Sequence, residues 1–120
     1  MSLAIYLTRT KWISYDEGKT HTKEDECVYD ANITHNLGAM ADEAGIYKAL
    51  WRPEEINKQK AEDIIELLEA GLADLMARPK HFEQFNSPNG WGMYEHFVPF
   101  VEKYLNACKE YPKCLIEISR

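Results

Sequence analysis

No run of apolar residues in this chain approaches the roughly 18 that a membrane-spanning helix needs, so no span is expected. The opening residues, MSLAIYLTRTKW, lack a basic leader and hold too short an apolar stretch for a signal peptide, so a cytoplasmic protein is expected. Cysteine is scarce, with only Cys27, Cys108 and Cys114, and no pair has the spacing of a zinc site. An odd count without a secretion signal favours reduced thiols. Cys27 and Cys108 read as core fillers, with a Cys108–Cys114 disulfide as the alternative. Basic residues are in deficit, 14 Lys and Arg against 20 Asp and Glu, for a net charge of −6. General nucleic-acid affinity, which needs cations to neutralise phosphates, is not expected. The familiar catalytic signatures are missing: no P-loop, GxGxxG, GxSxG or HExxH is present. The histidines match no zinc pattern, so neither a metal nor a cofactor is expected.

What is present suits one globular domain spanning residues 1–120. Hydrophobic residues make up 45% of the chain, and 120 residues suffice to bury about two thirds of the unfolded surface. Leu3, Ile5 and Leu7 alternate with Ala4, Tyr6 and Thr8, which predicts a strand; Trp12, Ile13 and Tyr15 extend it or start another. Residues 16–26, DEGKTHTKEDE, have almost no apolar content and read as a charged, solvated loop carrying an exposed His21. Cys27, Val28 and Tyr29 begin a second strand that ends near Ile33.

Helical spacing then takes over. Leu37, Met40, Ala41 and Ala44 predict an amphipathic helix capped by Gly45, and Tyr47, Leu50 and Trp51 a further turn stopped by Pro53. A long helix is expected from about 58 to 78, with Ile64, Leu68, Leu72 and Leu75 inward and Ile65, Leu67 and Met76 widening that face. Its acidic residues, Glu62, Asp63, Glu66, Glu69 and Asp74, form either a solvated face or a surface for a basic partner. A last helix from about 93 to 110 buries Phe97, Phe100, Val101, Tyr104, Leu105 and Cys108, with Pro99 expected to kink it. Residues 115–119 alternate again and predict a closing strand. The order predicts an α+β fold: a small antiparallel sheet of N-terminal strands plus the C-terminal strand, with about three helices on one face.

The stretch from Asp30 to Pro53 holds the densest mixture of polar and aromatic groups. His35 is its one side chain that titrates near neutrality unaided, and Asn32 and Asn36 flank it. The bland alternative is that Asn32, Thr34 or Asn36 caps a helix while His35 packs against backbone. Residues 86–96 have a similar character, with Asn-Gly and Ser-Pro turn signals around Trp91. If the two stretches converge, a polar-aromatic pocket is expected from Asn32, His35, Asn36, Trp51, Arg52, Trp91, Tyr94 and His96. Arg52 would clamp an anion, an indole would stack a planar or sugar-like ligand, and His35 with Glu95 are the candidates for acid–base catalysis.

The segments NITHNLG (32–38), GIY (45–47), LWRPEE (50–55) and NGWGMYE (89–95) resemble a small family of bacterial and phage-associated proteins of unknown function. The resemblance spans about residues 27 to 120, leaves 16–26 outside, and implies a bacterial or prophage setting without assigning a catalytic residue. The expectation is a binding or accessory domain for a small ligand or a partner protein. The alternatives are a small enzyme with a histidine acid or base, and a structural homodimer whose aromatic surface is the interface.

Overall fold

The period of two in Leu3, Ile5 and Leu7 puts three aliphatic side chains on one face of a strand, and all three are fully buried. The computed structural model describes residues 2–15 and 20–120, with side chains described outside 12–23. Strand β1 (Ser2–Tyr15) lies between β2 (Thr20–Thr34) and β3 (Leu115–Ser119) in an antiparallel sheet of order β2–β1–β3. Ile5 stands opposite Ala31 on one side and Ile118 on the other. The β1–β2 register shifts between Leu7, opposite Tyr29, and Thr8, opposite Cys27, so Val28 forms a bulge.

The charged run was expected to be a loop, and from Thr20 to Glu26 it is strand instead. Two of its charges face opposite charges across the pair: Arg9 bonds Glu26 at 2.9 Å, and Lys11 faces Glu24. Opposite charges on facing positions support the pairing of the two strands there. Residues 16–19 and the exposure expected of His21 lie outside the described residues. Because β3 ends its pairing at Thr8, the β1–β2 ribbon runs on past the core, and the molecule reaches 59 Å in its longest dimension.

The helices cover the Leu3–Ile5–Leu7 face. The 3₁₀ turn His35–Leu37 leads into α1 (Gly38–Glu43), and α2 (Tyr47–Trp51) follows Gly45, whose φ of 78° permits the reversal. Then come α3 (Ile65–Ala77), α4 (Pro79–Glu83) and α5 (Tyr94–Glu110). Ile64, Leu68 and Leu75 from the α3 region meet Phe97, Val101 and Tyr104 of α5 in one core. Burial pushes the Cys108 thiol up to about 12. Among the described residues no helix is long and apolar enough to cross a membrane.

Four details differ from the sequence reading. Cys27, expected as a core filler, is exposed. The helix expected from residue 58 starts later, as a 3₁₀ turn over Ala61–Ile64. The preceding backbone is committed elsewhere: Lys60 bridges Leu115, and the Ala61 N–H donates to the Cys114 carbonyl at 2.9 Å. Met76, expected to widen the apolar face of α3, is 60% exposed. The acidic face is largely neutralised within the chain, since Glu62 pairs with Lys113 (2.8 Å), Glu69 with Lys109 (3.5 Å) and Asp74 with Arg78 (2.7 Å).

Candidate functional site

Where β2 ends, Thr34 adopts an extended backbone and its hydroxyl accepts the Asn36 N–H at 3.2 Å, ending the strand and starting the 3₁₀ turn. The turn puts Leu37 into the core and leaves Asn36 exposed beside it. His35 is half-buried, and its Nδ1 accepts the Trp51 indole N–H at 2.8 Å. An indole nitrogen can only donate, so neutral His35 carries its own proton on Nε2. Trp51 is buried behind the histidine, stacked on Tyr47 with ring centroids 5.2 Å apart.

The second segment is held by its own side chains. Asn89 Oδ1 accepts from the Ser87 hydroxyl (2.6 Å) and from the Trp91 N–H (2.9 Å), and the Ser87 N–H donates to the Gly92 carbonyl (3.1 Å). Gly90, at φ 79°, makes the turn. Asn86 Oδ1 accepts the Tyr94 N–H at 2.7 Å and fixes the entry to α5. The effect is to hold Trp91 outward, 70% exposed, on a loop pinned at both ends.

The two segments meet directly. The Asn36 side-chain amide donates to the Trp91 carbonyl at 2.8 Å. Gly92 presses so close to Asn36 that a Cβ there would stand 2.8 Å from the Asn36 Cβ. Between them lies an open groove of about 1050 Å³. The chain matches no family model, no curated protein and no solved structure with which it was compared. The groove is therefore read from its own chemistry.

Asn32, His35, Asn36, Trp91 and His96 line the groove, joined by Ser2, Thr34 and Asn89. Asn89 was visible in the sequence only as half of an Asn-Gly turn, and nothing in the sequence marked Ser2. The other expected residues are placed elsewhere. Trp51 does not line the groove and acts on it through His35. Arg52 bonds Glu55 at 3.0 Å and does not line the groove, so no anion clamp exists there. Its hydrogen bonds to Tyr47 and Glu55 hold its pKa above the ordinary arginine value. Tyr94 is a structural strut: its hydroxyl donates to the Leu75 carbonyl at 2.7 Å, and burial raises its pKa. Glu95 lies outside the groove, with its carboxylate 3.9 Å from His96. No hydrogen bond joins Glu95 to His35.

Among the described residues, none that lines the groove is Asp, Glu, Lys or Arg. Nor does any group of three or more His, Cys, Asp and Glu among them stand where it could hold a metal ion. What remains is a set of amides, hydroxyls and imidazoles beside an exposed indole. Such a surface can exchange hydrogen bonds and stack, but it offers no strong charge.

Proposed function

We propose that this chain is a non-enzymatic binding or accessory domain, and that the Asn32–Asn36/Asn89–His96 groove receives a small ligand or a segment of a partner protein. The observation that carries the proposal is Trp91. A large apolar ring left 70% exposed on a loop braced by five hydrogen bonds has no packing role to account for it. Bracing a contact residue before the ligand arrives reduces the ordering cost of binding.

The enzyme reading is the weaker one. Neutral His35 has no free lone pair, because Nδ1 is occupied by Trp51 and Nε2 bears the proton. It can donate to a ligand, but it cannot abstract a proton without giving up Trp51. A bacterial cytoplasm or prophage setting belongs to the same proposal and rests on the resemblance of the 32–38, 45–47, 50–55 and 89–95 segments.

The test is a library screen of small molecules and peptides by amide NMR on the full chain, run beside Trp91→Ala. Binders should shift the amides of 32–37 and 89–92, and Trp91→Ala should remove those shifts while leaving the melting temperature within about 2 °C. Ligands that bind elsewhere, or that bind the groove as well without the indole, would refute the proposal.

A further inference from the structure

We infer that the groove takes a neutral oligosaccharide, with a sugar ring stacked on Trp91 and its hydroxyls bonded to the floor. The inference rests on the binding-domain reading and names the ligand class for it.

Three observations carry it. The first is the absence of formal charge among the described lining residues, which removes the means to hold phosphates, carboxylates or ammonium groups strongly. The second is the mixed polarity of the free hydrogen-bonding atoms. Asn89 uses Oδ1 within its loop, which leaves its side-chain N–H groups to donate. His35 offers its Nε2–H, since Nδ1 is taken by Trp51. Asn36 donates one N–H to the Trp91 carbonyl and keeps Oδ1 to accept. Asn32 is exposed at the end of β2 and brings both functions. A sugar hydroxyl donates and accepts at one atom and suits such an alternating floor. A proline-rich strand offers mainly acceptor carbonyls and would leave the acceptors unanswered.

The third observation is shape. One exposed indole lines an open groove of about 1050 Å³, at the upper limit of ordinary ligand pockets, which run to roughly 1000 Å³. An extended chain with one ring against the indole fits that form better than a single enclosed molecule. The axial C–H face of a pyranose is apolar and lies flat on an indole, while its rim remains polar.

The experiment is an NMR titration of the full-length chain with three neutral tetrasaccharides: maltotetraose, cellotetraose and chitotetraose. Adenosine and a decaproline peptide are titrated in parallel, and Trp91→Ala is the comparison protein. At least one tetrasaccharide should shift the Trp91 indole N–H and the amides of 32–36 and 89–92, and Trp91→Ala should weaken that binding about tenfold or more. Groove shifts produced by adenosine or decaproline, and by no tetrasaccharide, would overturn the saccharide assignment and leave the binding-domain reading standing. Saccharide binding that shifts other amides, or that survives Trp91→Ala, would overturn it also. If no probe moves a groove amide the assignment fails, and the library screen decides the binding reading separately.

Discussion

Gly92 is the residue on which the groove depends most. It combines a φ of 116° with an approach to Asn36 that leaves no space for a methyl group. Gly92→Ala should cost about 1–3 kcal/mol in chemical denaturation, and it should detach the Trp91 loop from the 3₁₀ turn. Gly45→Ala is the control, because its φ is also positive but nothing lies within 4 Å of the added atom. It should cost about 1 kcal/mol, for backbone conformation alone. Tyr104 presents the opposite case. Its hydroxyl is buried without a hydrogen-bond partner among the described residues, and burial holds its pKa well above the ordinary tyrosine value. Tyr104→Phe should leave stability unchanged or raise it by up to about 1 kcal/mol.

The Cys108 thiol sets a pH dependence at the same scale. Its folded-state pKa is raised from 9.0 to about 12, so the folded form holds this proton more tightly than the unfolded chain does. Its contribution is fully present below pH 9 and is lost as pH rises from 9 toward 12. Denaturation midpoints should therefore fall across that alkaline window. In Cys108→Ala, which lowers stability at neutral pH by leaving a cavity, the fall should be shallower.

Packing between elements is decided by another glycine. Gly71 in the middle of α3 lies against Ile46 of the α1–α2 connection, and a Cβ there would stand 2.3 Å from the Ile46 Cγ2. Alanine normally favours a helix by about 1 kcal/mol over glycine. Ile46 is itself buried and has no room to withdraw, so Gly71→Ala should destabilise by about 1–3 kcal/mol despite the better propensity. The helix content by circular dichroism should stay unchanged while the unfolding midpoint drops. Elements with a periodic apolar face were legible in the sequence: all six residues expected inward on the last helix are buried in α5. Of the β1–β2 ribbon, the β1 side was legible, since Trp12, Ile13 and Tyr15 were expected to extend the first strand or start another and β1 runs to Tyr15. The stretch from Thr20 to Glu26 was not, because its charged residues carry no apolar alternation to read.

Across the whole molecule, the sheet order brings the end of β2 and the start of α5 to one side, and two segments more than fifty residues apart come to share a groove. The sequence showed which stretches carried the polar and aromatic groups. It could not show the directions in which neighbouring side chains leave the backbone. Trp51 and Arg52 are adjacent, yet one turns into the core to hold His35 and the other turns to Glu55. A tryptophan in such a turn is more often a core or lid residue than a binding platform, yet the Asn89 and Asn36 bonds hold the Trp91 backbone so that its ring is 70% exposed.

The groove exists only if Asn36 and Gly92 are in contact in solution. Nuclear Overhauser spectroscopy on the labelled full chain reads this directly. The account predicts strong cross-peaks between the Asn36 Hβ protons and the Gly92 Hα protons, together with a Trp91 indole resonance open to a solvent relaxation agent. Absence of those cross-peaks, or a Trp91 indole protected from the agent, would contradict it.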